Sequence, residues 1–136
     1  MSIPHALLRD FNPGPPASIQ DVRHCEESAG VTFPKDFVEF LQLCNGGEGF
    51  VGSAYLILWR VEELSEMNRA YQVAKYAPGL FMFGSDGGGE AFAFDINATN
   101  TPIVSVPFVG MDRASAVLLA ESFNDFLTQL ASAPVQ

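Results

Sequence analysis

Six residues, Gly84-Ser85-Asp86-Gly87-Gly88-Gly89, separate the apolar run Leu80-Phe81-Met82-Phe83 from the run Glu90-Ala91-Phe92-Ala93-Phe94-Asp95. Phe92 and Phe94 stand at every second position, the period of a strand whose side chains alternate between two faces. Two such runs joined by a glycine-rich connection specify an antiparallel hairpin of the longer-loop kind. Gly87, Gly88 and Gly89 supply the left-handed geometry that a tight connection needs. A phosphate cradle is a poor reading of the same glycines, because phosphate loops lead into a helix N-terminus and this one leads into a strand. Asp86 and Glu90 would repel phosphate as well. They offer oxygen ligands to calcium, but without the alternating Asp/Asn spacing of a calcium loop.

The flanking segments complete an α+β pattern. Ser18 reads as the N-cap of a helix carrying Ile19, Val22, Cys25, Glu26 and Ala29 on one stripe, and Gly30 reads as its stop. Val31-Thr32-Phe33 is a short extended link, and Pro34 suits the first turn of a second helix. Phe37, Phe40, Leu41 and Cys44 form one apolar face at helical spacing, and Asn45-Gly46-Gly47 ends that helix. Tyr55-Leu56-Ile57-Leu58-Trp59 reads as a buried strand, 61–74 as an inserted helix, and Ile103-Val104-Ser105-Val106 as another strand. Ala116–Ala120 fits either strand or helix. Ser122, with Asp125 at the third position, opens a closing helix whose face is Phe123, Phe126, Leu127 and Leu130. Phe37, Phe40, Leu41, Phe123, Phe126 and Leu130 are the expected core. The pattern predicts one domain over 18–136, an antiparallel meander packed with N-terminal, inserted and C-terminal helices. Residues 1–17 read as an N-terminal arm ending in the link Pro13-Gly14-Pro15-Pro16, with Leu7, Leu8 and Phe11 docking on the body.

A chain of 136 residues with 48% hydrophobic and 17% charged content can bury a full core without disulfides or metals. No window reaches the ~20 apolar residues of a membrane helix. The start lacks a basic region followed by an apolar stretch, so the expected location is the cytoplasm. Cys25 and Cys44 read as reduced, buried thiols. Sixteen acidic residues against seven basic ones leave a net charge of −9. A nucleic-acid binder needs clustered Lys and Arg, and an anionic membrane needs the same, so neither partner is expected. A basic protein is the favoured partner.

Chemistry finds little footing. His5 and His24 lie on separate segments without metal-ligand spacing, so no metal site or cofactor is expected. Cys44 sits on an apolar face, Ser85 lacks a base and a nucleophile-elbow context, and Glu26-Glu27 and Glu62-Glu63 point apart on helices. No enzyme is expected. Phe50, Tyr55, Trp59 and Phe108 are the aromatics least tied to a core stripe, and Trp59-Arg60 is a possible interface anchor.

Three motifs, in order, resemble the SMI1/KNR4 (SUKH) superfamily across about residues 18–131. They are Phe33-Pro34-x-Asp36-Phe37-x-x-Phe40-Leu41 with Asn45-Gly46-Gly47, the hairpin from Gly84 to Asp95, and Ser122-Phe123-x-Asp125-Phe126-Leu127. The resemblance implies an α+β fold without catalysis. It also implies a role like that of the small bacterial members, immunity proteins that neutralise polymorphic or contact-dependent toxins, often nucleases; fungal relatives are regulatory scaffolds in cell-wall synthesis. On this reading Glu48, Asp86, Glu90, Asp95 and Asp112, in or beside loops and strand ends, are the candidate partner-binding residues for a basic toxin. Gly46, Gly47, Gly87, Gly88 and Gly89 are structural loop residues. The alternative is an intracellular regulatory or small-ligand-binding domain that uses the glycine-rich hairpin.

Overall fold

The computed structural model describes residues 9–132; the expectations for His5, Leu7 and Leu8 lie outside them. Within these residues the chain builds β1 (Phe11–Pro13), α1 (Ile19–Ala29), α2 (Lys35–Leu43), β2 (Gly47–Val51), β3 (Ala54–Leu58), α3 (Val61–Ala70), α4 (Val73–Tyr76), β4 (Leu80–Ser85), β5 (Glu90–Asp95), β6 (Ile103–Pro107), β7 (Val117–Ala120) and α5 (Phe123–Ala131). A 3-10 turn, Arg113–Ser115, precedes β7. The strands form one seven-stranded sheet in the order β1-β2-β3-β4-β5-β6-β7, and every neighbouring pair is antiparallel. The fold is a single α+β domain, and no helix among the described residues is long and apolar enough to cross a membrane.

The central hairpin is buried on both faces, which explains why β4 and β5 read as near-continuous apolar runs. On one face Phe81, Phe83, Phe92 and Phe94 meet Val22 and Cys25 of α1, Phe37, Phe40 and Leu41 of α2, and Phe123, Phe126 and Leu127 of α5. Ring centroids stand 4.9 Å apart for Phe37–Phe94, 5.0 Å for Phe37–Phe123 and 4.9 Å for Phe92–Phe126, each edge to face, the arrangement that aromatic quadrupoles favour. On the other face Leu80, Met82, Ala91, Ala93, Val104 and Val106 make a smaller core with Val73, Ala77 and Met111. Of the expected core, Leu130 is only half-buried, at the edge where α5 packs against the main cluster.

Several local readings change in three dimensions. Residues 47–51 form β2, whereas Asn45-Gly46-Gly47 reads in sequence only as a helix stop; its glycines are there because strands pass close by. A Cβ on Gly47 would overlap the Asn12 carbonyl oxygen, and one on Gly46 (φ 81°) would lie 2.8 Å from the Leu58 carbonyl oxygen. Gly84 belongs to β4 rather than to the loop, where a Cβ would overlap the Ile57 carbonyl oxygen of β3. Residues 11–13 of the arm add β1 to the sheet edge, with Phe11 opposite Gly49. The stretch 61–74 is not one helix: it breaks at Gln72, whose φ of 54° lies in the left-handed region. Pro34 stands at the N-cap of α2, just before the first turn. Residues 116–120 resolve as the edge strand β7. β3 is open on one face, with Tyr55, Ile57 and Trp59 half-buried rather than fully covered.

Candidate functional site

The polar side chains of the three motifs spend their hydrogen bonds inside the molecule. Asp36 Oδ2 accepts from the Asn124 N–H at 3.0 Å, so α2 caps the start of α5 across the core, and Ser122 Oγ accepts from Asp125 N–H at 3.1 Å. Buried Asn45 Oδ1 accepts from Val61 N–H at 2.8 Å, and its Nδ2 donates to Glu62 Oε1 at 2.7 Å, which caps α3. Asp86 Oδ1 accepts from Gly88 N–H at 2.7 Å and from Glu90 N–H at 3.1 Å, bracing the loop from within. Buried Glu26 does the same for the α1–α2 link, accepting from Phe33 N–H at 2.7 Å and pairing with Arg23. Each group satisfies backbone donors that would otherwise be orphaned at a helix end or turn.

The thiols are part of the interior as well. Burial pushes the Cys44 pKa up to about 11, and its Sγ donates to the Gly46 carbonyl at 3.2 Å. Burial, with the Glu26 charge adding to it, also raises Cys25. A thiol so shifted is a weak nucleophile at neutral pH. No group of three or more His, Cys, Asp or Glu among the described residues is placed to hold a metal ion.

The free chemistry lies on the face of the β2–β3 hairpin opposite the main core. Leu56 and Leu58 point inward, so by strand alternation Tyr55 and Ile57 point out, as do their cross-strand partners Phe50 and Glu48. Phe50 is 49% exposed. Its ring meets the edge of Tyr55 at 5.1 Å and 80°. The Tyr55 hydroxyl donates to the Glu48 carboxylate, and that bond raises its pKa, because a phenolate would face a carboxylate. Gly87 closes the patch, since a Cβ there would come within 3.2 Å of the Tyr55 ring. A groove of about 410 Å³ runs beside Glu48, past Trp59, Arg60 and Glu63.

The five candidate acids do not form one group. The register Glu48–Ile57–Ser85–Ala91 brings Glu48, Asp86 and Glu90 to the same end of the sheet. Asp95 lies at the other end of β5, about 17 Å away at strand rise, and is gripped by Arg113 Nη2 at 2.9 and 2.8 Å. Asp112 is exposed and caps the 3-10 turn through Ala114 N–H at 2.9 Å. In the sequence Phe50 and Tyr55 stand among four aromatics from which one or two exposed anchors are expected, and Tyr55 also opens the run that reads as a buried strand. Glu63, read in sequence only as one of two helix neighbours that point apart, lines the same groove as Glu48, a placement with no local signature.

These features define a class: a single α+β domain on an antiparallel meander, with its motif side chains committed to the scaffold and with Phe50, Tyr55 and Glu48 together on an open sheet face. Residues 16–129 match the SMI1/KNR4 family (SUKH-1), and the chain belongs to that family. It is also similar to the uncharacterized protein YnaB of Bacillus subtilis (strain 168), at 44% identity over 119 residues that cover 86% of this chain and 78% of the relative.

Proposed function

We propose that the protein is a non-catalytic, cytoplasmic binding module of the immunity type, which occludes a basic protein toxin with the outward face of its β2–β3 hairpin. The observation that carries this reading is the placement of Phe50, Tyr55 and Glu48 together on a sheet face that the main core does not use. Exposed aromatics serve as interface anchors and stack against arginine, while the acids at the rim, Glu48, Asp86 and Glu90, steer a basic partner. The net charge of −9 extends that field and disfavours nucleic acid. Family membership supports the immunity role, and the commitment of the motif polar groups to caps and turns supports a scaffold without catalysis.

The test is association kinetics against the protein encoded beside this gene, at several salt concentrations. Glu48→Lys combined with Glu90→Lys should slow association roughly tenfold or more at low salt and leave dissociation nearly unchanged, since exposed charges are screened beyond ~8 Å at physiological salt. Phe50→Ala should instead hasten dissociation. Binding insensitive to all three changes would move the interface elsewhere, and no binding at all would remove the immunity reading.

A further inference from the structure

A second concavity, of about 660 Å³, opens away from the acidic end of the sheet, between the C-terminus of α1, α3, α4 and the start of β4. Its volume lies within the ~300–1,000 Å³ range of small-molecule sites. Val31, Val73, Leu80, Phe81 and Ile96 give it apolar walls. Arg69 and Lys75 stand at the same cleft. The chain has sixteen acidic residues and seven basic ones, yet among the described residues two bases and no acid line this cleft. Arg23, Arg60 and Arg113 are paired with carboxylates, whereas no ion pair holds Arg69 or Lys75 among the described residues. Lys75 Nζ rests 5.3 Å above the Tyr76 ring. Arg69 stands on the ridge between this cleft and a neighbouring one, and the acids near it, Asp21, Glu62 and Glu66, line the neighbouring one.

The backbone keeps the cleft open. Gln72, a lining residue, holds φ 54° and ψ 45°, which turns α4 off the path of α3. A left-handed backbone at a non-glycine residue is strained and is rare in folded chains. Here Lys75 and Tyr76 both donate backbone hydrogen bonds to the Gln72 carbonyl, at 3.0 and 3.1 Å.

We propose that this cleft binds a small amphipathic anion, an apolar chain or ring system bearing one carboxylate or phosphate group. The apolar body lies against Val73, Leu80, Phe81 and Ile96, and the anionic group is held between Arg69 and Lys75. The site is separate from the protein-binding face, so neither reading depends on the other.

The test titrates the full chain with decanoate, decyl phosphate and decanol at 150 mM salt, followed by amide chemical shifts and calorimetry. The anions should bind at least tenfold more tightly than decanol, with shifts centred on α4 and the start of β4; the tighter of the two anions identifies carboxylate or phosphate as the natural group. Arg69→Gln with Lys75→Gln, both at exposed positions, should erase the preference for the anions while decanol binding is unchanged. Ala74→Trp, also exposed, should block all three ligands without lowering the melting temperature. Equal affinity for decanol and the anions, an anion preference that survives loss of both bases, or no binding at millimolar ligand would each overturn the proposal.

Discussion

Where β3 turns away after Trp59, the backbone of Met82 loses its strand neighbour, and the side-chain amide of Asn68 takes over both halves of the ladder. Its Oδ1 accepts from Met82 N–H at 2.8 Å and its Nδ2 donates to the Met82 carbonyl at 2.9 Å. Met82 is fully buried, so removing the amide leaves two backbone groups without partners. Asn68→Leu is expected to cost about 2–6 kcal/mol, at roughly 1–3 kcal/mol per orphaned group, and urea denaturation would measure it. A loss below about 1 kcal/mol would mean that water replaces the amide. Cys44 gives a second residue-level prediction. Its folded pKa of about 11 lies above the unfolded value of 9.0. Between those values the unfolded chain has released the proton and the native state still holds it, so raising the pH favours unfolding. The contribution is complete below pH 9.0 and disappears as pH passes about 11, a loss on the order of 2–3 kcal/mol. Melting curves of the wild type and Cys44→Ala across that window should converge as pH rises, because only the wild type carries this term.

At the scale of elements, the β4–β5 hairpin separates two uses of glycine. Gly87 has φ 78° beside the Tyr55 ring, whereas Gly88 has no positive φ and only ordinary contacts. Gly87→Val should therefore lose about 1–3 kcal/mol through backbone strain and crowd Tyr55, while Gly88→Ala should stay within about 0.5 kcal/mol of wild type. Equal costs for the two would show that the loop refolds around either change. Two helices add caps from across the tertiary structure to the local ones, α3 from Asn45 and α5 from Asp36. Helix start and sheet assembly are thereby coupled, and α3 needs α2 and β2 in place before its first N–H is satisfied.

For the whole molecule, a net charge of −9 spread over a 136-residue chain repels itself in the compact state. Sodium chloride raised from 10 to 200 mM should increase the melting temperature by a few degrees, since screening relieves repulsion at the range of the Debye length. A decrease would mean that pairs such as Arg113–Asp95, at 2.8 Å, outweigh the surplus of like charge. The same surplus is distributed unevenly: among the described residues carboxylates gather at the β2–β3 and β4–β5 end of the sheet and none lines the cleft at Arg69 and Lys75.

Local pattern was enough to read the α+β class, the apolar faces of α2 and α5, the Ser18 and Ser122 caps, and the hairpin around Gly87 to Gly89. Each depends on residues within a few positions of one another, where period and turn chemistry speak directly. The glycine-rich strand β2 was not legible, because Gly47 and Gly49 have little strand propensity and are held by β1 and β3 rather than by themselves. The break at Gln72 was not legible either, since its left-handed backbone falls on a residue that is no glycine and so carries no local signal. The candidate surface divides the same way. Acidic residues near loops can be named from the chain, but only the strand register puts Glu48 with Asp86 and Glu90, and only the fold gives Asp95 to Arg113. Charge belongs to the residue; whether that charge is free for a partner depends on neighbours 18 positions away in the chain, as for Asp95 and Arg113.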